Sequence, residues 1–313
     1  MIPEKGSCII SMAPLAGYTD FIFRGIVREI YLELATTEMI SVRGIIYGDE
    51  ETMRMVREVK SERDTGIQLF GFMAEDFVLA MEKIQSEFLP LLFELNAGCP
   101  VKKVVKKGAG AALLKDPGRL REILLAMKEV SKVPVSLKTR LGWSDRREIE
   151  NILKIAEEVG VDWITVHART KEQMFGGRAE LDYLGSVISG YPLPVVANGD
   201  IRRREDFEYL CEKYEFDGVA VGRGVIGNPW IFREMRKGVK PDNVEKVETI
   251  KKHLFRNVEY YGEHRGVLKM IPHLVKYVRN LPDARKWRER IVRAREPETI
   301  IGIIEEAFMV NYA

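Results

Sequence analysis

The chain has 313 residues, of which 46% are hydrophobic and 31% are charged, and its formal net charge is +2. This length fits one large domain or a barrel with an extension, and the apolar share is enough to bury a core. No apolar run approaches the roughly 20 residues of a membrane helix, and the N-terminus lacks the pattern of a signal peptide. Composition therefore argues against a membrane-spanning or secreted protein.

The three cysteines, Cys8, Cys99 and Cys211, are widely spaced and odd in number. Such a set predicts neither a disulfide framework nor a zinc site, and we expect no metal. The compartment that fits is a reducing cytoplasm. We expect Cys8, at the start of a strand, and Cys211, in a helix, to serve only as packing residues.

Short apolar runs alternate with longer amphipathic stretches through the first 232 residues. The predicted strands are 8–13, 34–39, 67–70, 91–95, 135–138, 163–166, 195–197 and 218–221, and predicted helices include 76–87, 117–130, 145–159 and 204–214. Asp116 before Pro117 indicates a helix N-cap. Eight strand–helix units predict a (β/α)8 TIM barrel. A doubly wound sheet is the alternative, but no GxGxxG motif follows the first strand.

After Phe232 the strand signal stops, and residues 243–313 show helical patterns interrupted by Pro272, Pro282 and Pro297. We therefore predict a catalytic barrel domain over 1–238 and a small C-terminal all-helical domain over 239–313. Eight lysines and arginines face two acidic residues within 276–295, which favours nucleic-acid binding. A solvated helix face explains that segment equally well when it is judged alone.

The richest stretch follows the fourth strand, where the chain reads Asn96, Ala97, Gly98, Cys99 and Pro100. Lysines at 102, 103, 106 and 107 come next. In a TIM barrel the chemistry takes place at the carboxyl ends of the strands. A thiol there, ringed by cations, suits a proton donor that meets a polyanionic substrate. The alternative is a buried, inert cysteine.

Nearly every other predicted strand also ends in polar or backbone-exposing residues. They are Pro14, Leu15 and Ala16 after strand 1, Gln68, Lys138 and Arg140, His167, then Asn198, Gly199 and Asp200, and finally Gly222 and Arg223. The loops after strands 7 and 8 are the usual phosphate site of such barrels. Their glycines let backbone N–H groups approach phosphate, and Arg223 adds a bidentate donor.

Seven motifs, in order over roughly the first 235 residues, carry a family resemblance. They are SMAPLAGYTDFIFR, TEMI, AGCPVKKVVKKGAGAALLKDP, LKTRLGW, HARTKEQMFGGRAELD, ANGDI and VGRGVIGNPWIF. This set resembles the tRNA dihydrouridine synthases, which reduce uridine in tRNA. The resemblance implies FMN as cofactor, held by Gln68, His167 and Arg223, with Lys138 beside the flavin. It also implies NADPH or NADH as the reductant.

The implied mechanism transfers a hydride to C6 of the uracil ring and a proton to C5, with Cys99 as the catalytic acid. Asn96, Arg140, Lys102 and Lys103 are expected to contact the tRNA substrate, and the helical domain over 239–313 is expected to bind tRNA. Pro14, Leu15, Ala16, Asn198, Gly199, Asp200 and Gly222 complete the predicted cofactor site. No segment indicates an obligate protein partner.

Two other functions stay open. One is an FMN enzyme of free pyrimidines, similar to dihydroorotate dehydrogenases, which would not need the lysines or the basic tail. The other is an RNA-binding protein whose barrel is a relic, which the intact strand ends argue against. Stacking of bases on Tyr260, Tyr261, Tyr277 or Trp287 is a further prediction, although aromatics at helical spacing are more often core residues.

Overall fold

The computed structural model describes residues 2–62 and 65–309. Its strands are β1 (Ile9–Met12), β2 (Leu34–Thr36), β3 (Ile40–Ser41), β4 (Thr65–Phe70), β5 (Phe93–Asn96), β6 (Val135–Arg140), β7 (Trp163–His167), β8 (Val195–Asn198) and β9 (Gly218–Val221). They form one parallel sheet in the order β2-β1-β9-β8-β7-β6-β5-β4-β3. Because β2 also pairs with β4, the sheet closes into an eight-stranded barrel, and the short β3 adds to β4.

Helices follow the strands in the alternation expected of this fold. They are α1 (Phe21–Ile30), α2 (Val42–Ile46), α3 (Glu50–Ser61), α4 (Ala74–Glu87), α5 (Lys102–Val105), α6 (Pro117–Val130), α7 (Glu148–Val159), α8 (Leu181–Val187), α9 (Arg204–Lys213) and α10 (Ile231–Lys237). A 3₁₀ turn spans Gly110–Lys115. Four further helices come last: α11 (Asn243–Tyr261), α12 (Glu263–Tyr277), α13 (Ala284–Arg293) and α14 (Pro297–Met309). The prediction of a TIM barrel followed by a helical region is confirmed.

The chain divides into two compact units. The barrel unit comprises the described residues of 1–14, 33–201 and 205–222, and the helical unit comprises those of 15–32, 202–204 and 223–313. The helical unit thus takes in α1 and begins before the predicted boundary at residue 238. The assignment of a catalytic domain and a tRNA-binding domain stays a prediction.

Apolar side chains from neighbouring strands fill the barrel. Ile9, Leu34, Trp163 and Val196 belong to one buried cluster, and each comes from a different strand. Parallel strands are covered on both faces, so they appear in the sequence as continuous apolar runs. At one helix start, the Asp116 side chain accepts a hydrogen bond from the Arg119 N–H (2.9 Å), which confirms the predicted N-cap of α6.

A disulfide joins Cys8 to Cys211, with 6.3 Å between their Cα atoms. The expectations that the cysteines make no disulfide and that Cys8 and Cys211 serve only as packing residues were wrong. The bond links the residue just before β1 to α9, across 203 residues of sequence. It therefore ties the start of the first strand of the barrel to the helix that follows β8.

Replacing Cys211 with serine is expected to lower the melting temperature by about 5–10 °C. A disulfide that closes so long a loop restricts the unfolded chain, and such bonds stabilise by about 2–5 kcal/mol. Differential scanning calorimetry without reductant measures the effect, with Cys99→Ser as a control that leaves the disulfide intact. Thiol titration of the unfolded, unreduced protein should find Cys99 alone reactive. Three reactive thiols would contradict the disulfide.

The helical unit has its own buried core, to which α11, α12, α13 and α14 all contribute. Trp287 and Tyr277 lie within it, and the Trp287 indole N–H donates to the Pro282 carbonyl (2.9 Å). Pro272, predicted to interrupt the helical pattern, instead lies inside α12. A proline removes one backbone donor, and burial of the residues around it keeps the helix continuous.

Two histidines are buried side by side in the helical unit. His253 and His273 are 1% and 3% exposed, and their ring centroids are 4.8 Å apart. The Phe23 ring lies against both. Burial lowers the pKa of His253 well below its ordinary value and that of His273 to about 4, although Asp20 acts in the opposite direction on His273. Both rings are therefore neutral at neutral pH.

Acidification is expected to destabilise the protein through this pair. Unfolded histidine takes up a proton near pH 6.5, whereas folded His273 does so only near pH 4. Its contribution is therefore fully present above pH 6.5 and declines as pH falls towards 4, by about 3 kcal/mol. Urea unfolding at several pH values measures the slope. His273→Leu should flatten it and exposed His264→Gln should not; an unchanged slope in His273→Leu would contradict this account.

Candidate active site

The strand register brings the predicted polar residues of the barrel unit together at the carboxyl ends of the strands. Gln68 on β4 lies opposite Glu94 on β5, and Asn96 on β5 lies opposite Lys138 on β6. Farther round, His167 on β7 lies opposite Asn198 on β8. Because parallel strands share one carboxyl edge, these side chains converge there.

A chain of hydrogen bonds runs through the mouth of the barrel. The Glu94 Oε1 accepts from Thr36 Oγ1 (3.2 Å) and from Gln68 Nε2 (2.7 Å). The Gln68 Oε1 in turn accepts from Asn96 Nδ2 (2.7 Å). All four side chains are buried, so each bond is shielded from water. The network fixes the amide of Asn96 with its oxygen towards the next loop.

That loop carries Cys99, the free thiol of the described residues. The Asn96 Oδ1 accepts from the N–H groups of Gly98 (3.1 Å) and Cys99 (2.9 Å), which turns the chain back after β5. The Cys99 carbonyl accepts from the Ala111 N–H (3.0 Å). A Cβ at Gly110 would lie 2.9 Å from the same carbonyl oxygen, so that position requires glycine. Cys99 is therefore held from both sides.

The Cys99 thiol is half-buried, and burial raises its pKa. The Val101 N–H and the positive charges of Arg140 and Lys138 act in the opposite direction but do not outweigh burial. Lys102 and Lys103 are both solvent-exposed, and neither contributes to the shift of the Cys99 pKa. At neutral pH the thiol keeps its proton.

Half-buried Lys138 and buried Glu94 line one cavity and attract each other as opposite charges. Burial lowers the Lys138 pKa to about 8, while Glu94 acts to raise it. Burial likewise raises the pKa of Glu94, against the attraction of Lys138. The Lys138 ammonium donates to Asn198 Oδ1 (3.2 Å). An ammonium has three donors, so Lys138 retains hydrogen-bonding capacity for a bound group.

Arg140 is buried and holds backbone rather than facing solvent. Its Nε donates to the Gly98 carbonyl (2.8 Å), and its Nη1 donates to the carbonyls of Thr170 (3.0 Å) and Met174 (2.8 Å). The guanidinium fork thus ties the Cys99 loop to the loop after β7. Its predicted role in substrate binding stays a prediction.

A second buried arginine, Arg169, anchors the same loop after β7. It donates to the carbonyls of Gly176 (2.9 Å) and Gly177 (2.8 Å) and to Asp200 Oδ2 (2.5 Å). Asp200 also accepts from the Ala179 N–H (2.9 Å). Asp200, predicted to bind cofactor, is thus engaged in positioning this segment.

The remaining predicted residues lie in both units. In the barrel unit, His167 is buried, and its Nε2 lies 3.4 Å from Arg169 Nη1. The Asn198 Nδ2 donates to the Ala220 carbonyl (2.6 Å). Gly199 has a backbone φ of +122°. Pro14 lines an interior cavity with Lys138, and Gly222 follows β9. Leu15, Ala16 and exposed Arg223 belong to the helical unit.

Sequence reasoning missed Glu94 and assigned no role to Arg169. Glu94 interrupts an otherwise apolar strand, and a carboxylate in a buried strand is costly unless it is paired. That interruption was the available signal. Its partners Thr36, Gln68 and Lys138 come from three other strands, so only the closed barrel reveals the group.

The four aromatic residues predicted to stack on RNA bases differ in how far they are exposed. Tyr277 and Trp287 are core residues, whereas Tyr260 is 40% exposed and the Tyr261 hydroxyl donates to Asp20 (3.0 Å).

Among the described residues, no helix is long and apolar enough to cross a membrane. The same residues contain no cluster of His, Cys, Asp and Glu suited to a metal ion.

Comparison with known proteins agrees with this geometry. The family model described as dihydrouridine synthase (Dus) matches residues 11–311. A probable tRNA-dihydrouridine synthase of Rickettsia bellii is 32% identical over 97% of this chain and 96% of its own length. The tRNA-dihydrouridine synthase B of Pasteurella multocida is 31% identical over 96% of this chain and 92% of its own.

Solved structures match in fold. A histamine dehydrogenase from Rhizobium sp. 4-9 has a TM-score of 0.58 at 13% identity, covering 81% of this chain and 50% of that one. A 2-naphthoyl-CoA reductase has a TM-score of 0.55 at 11% identity, covering 78% and 50%. At such identities the likeness concerns the barrel alone. The family model and the full-length relatives go further and confirm the resemblance carried by the seven motifs: this chain belongs to the dihydrouridine synthase family.

Proposed function

We propose that this protein is a tRNA-dihydrouridine synthase, which reduces the C5–C6 double bond of uridine in tRNA. The observation that carries the proposal is the protonated, half-buried Cys99 thiol, fixed by Asn96 and Arg140 at the barrel end that also holds Lys138. Reduction of that double bond needs a proton at C5, and a thiol that keeps its proton at neutral pH can supply it.

The barrel unit would hold a flavin, which the family resemblance predicts to be FMN. A cavity lined by Met12, Ala13 and Pro14, and by Lys138 and Glu94, offers apolar walls with one cation and one carboxyl group. A bound flavin would supply the reducing equivalents, drawn from NADPH or NADH. Lys138 would hold its polar edge and favour negative charge there. Gln68, His167, Asn198, Gly199, Asp200 and Gly222, with Leu15, Ala16 and Arg223, remain the predicted cofactor residues.

The residues of the Cys99 loop have separable roles in this proposal. Asn96 and Arg140 hold the loop, and so they would position the thiol rather than react. Lys102 and Lys103 are exposed on α5 beside it, where they would meet the phosphates of tRNA. The helical unit would provide further RNA contacts through α13. A tRNA substrate agrees with the predicted cytoplasmic location.

Anaerobic spectroscopy tests the proposal. The purified protein should show flavin bands that bleach with NADPH and return on addition of unmodified tRNA. Recovery with free orotate or uridine but not with tRNA would favour a reductase of free pyrimidines. A colourless protein that does not bind added FMN would contradict the proposal.

A further inference from the structure

An open cleft lies in the barrel unit beside the end of β4. Its lining includes Phe70, Phe72, Arg43, Asp76, Lys107 and Ala109. Phe70 is the last residue of β4, so the cleft opens at the carboxyl edge of the sheet. That edge is the one from which Asn96 and Cys99 extend.

The cleft shares a wall with the Cys99 loop. Ala109 lines the cleft, and the next two residues support Cys99: Gly110 packs against the Cys99 carbonyl and the Ala111 N–H donates to it. The segment from Ala109 to Ala111 therefore contacts both the cleft and the backbone of Cys99. A molecule whose reacting group reaches Cys99 would pass close to this cleft.

Phe72 gives the cleft an exposed aromatic surface that is held in place. Its side chain is 38% exposed. The Arg119 guanidinium lies 4.9 Å from the ring centroid, and the ring is so close to Gly108 that a Cβ there would be 2.5 Å from Phe72 Cδ2. A large apolar ring fixed at a site of solvent contact is suited to bind a nucleobase, since little side-chain freedom is lost on contact.

The charges around the cleft favour a polyanion. Lys107 lines the cleft, and Lys102, Lys103 and Lys106 precede it on and after α5. Within residues 2–62 and 65–309, none of the four lysines takes part in an ion pair. At the rim, the Arg43 Nε donates to Asp76 Oδ2 (2.8 Å), which places a donor and an acceptor side by side. Unpaired lysines next to an aromatic surface match a phosphate-linked base better than an apolar ligand.

We propose that this cleft binds an unpaired nucleotide of the RNA substrate, near the uridine that reaches Cys99. The base would pack against Phe72, and the phosphate would lie beside Lys107. The inference rests on the proposed function, because it assumes that tRNA is the substrate. The barrel unit would thus bind RNA at this cleft, in addition to the RNA contacts proposed for the helical unit.

The test compares Phe72→Leu and Lys107→Gln with the wild type in binding an unmodified tRNA transcript over a range of salt concentrations. Phe72→Leu should weaken binding about tenfold. Lys107→Gln should weaken it about threefold and reduce the slope of log K against log salt by about 0.7. Both variants should retain flavin and its rate of reduction by NADPH. Matched controls are exposed Tyr209→Leu and exposed Lys60→Gln, which should bind tRNA like the wild type.

Wild-type affinity in Phe72→Leu, or an unchanged salt slope in Lys107→Gln, would overturn the subsite. Competition adds a second criterion: oligouridylate should displace tRNA from the wild type far better than polyglutamate does. Equal displacement by both would mean a general polyanion surface and would also overturn it. If the wild type bound no tRNA at all, the proposed function itself would fail, and the subsite with it.

Discussion

Replacing Cys99 with alanine is expected to slow dihydrouridine formation by about two to four orders of magnitude, the usual range for loss of a positioned general acid. The thiol stands at the end of a network that begins at Thr36 and passes through Gln68 and Asn96. Alanine removes the proton donor but leaves this network in place, since the bonds to Asn96 and Ala111 are made by the backbone of residue 99. Single-turnover reaction with tRNA measures the loss directly.

The pH dependence gives this prediction a second readout. Burial raises the Cys99 pKa, so the wild type should keep its donor through neutral pH and lose activity only in the alkaline range. In Cys99→Ala, the part of the activity loss at alkaline pH that comes from deprotonation of the thiol should be absent. Flavin content and reduction by NADPH should match the wild type. Near-normal turnover in Cys99→Ala would show that another group delivers the proton.

Replacing Lys138 with methionine is expected to lower turnover by about two to three orders of magnitude, comparable to the loss of a key electrostatic donor. Lys138 is the cation of the interior cavity and has a pKa of about 8. Its protonated form is the one that stabilises negative charge, so wild-type activity should decline as pH rises through about 8. Turnover measured from pH 6 to 9 tests this decline.

Glu94→Gln tests the electrostatic interaction between Lys138 and Glu94 from the side of the carboxylate. The Glu94 charge supports protonation of Lys138, so its removal should lower the Lys138 pKa further and move the decline to lower pH. The loss should therefore be small at pH 6 and large at pH 8. In the Lys138→Met background, Glu94→Gln should add little. A profile that does not shift, or additive losses, would contradict the coupling.

Much of the barrel could be predicted because its strands are short, apolar and regularly spaced. The run predicted at 163–166 corresponds to β7 (Trp163–His167), and 218–221 corresponds to β9 without change. Helix α3 was not among the predicted helices. It is rich in charged residues, and only Val56 and Val59 of its apolar side are buried.

The convergence of polar residues at the carboxyl ends of the strands, with Cys99 and Lys138 among them, was predictable; their roles stay predictions. The site was not predictable where function depends on which strands become neighbours. Glu94 acquires its role from Thr36 and Gln68 on adjoining strands, and the partners of Arg140 are carbonyls of distant loops. The bond between Cys8 and Cys211 was missed for the same reason, because 203 residues separate them and only the closed fold brings them together.

The most direct test of the central claim is nucleoside analysis by mass spectrometry of unmodified tRNA after incubation with the purified protein and NADPH. The account predicts dihydrouridine in the tRNA with the wild type and almost none with Cys99→Ala over the same time. Dihydrouridine absent from the tRNA, while free uracil derivatives are reduced under the same conditions, would contradict it.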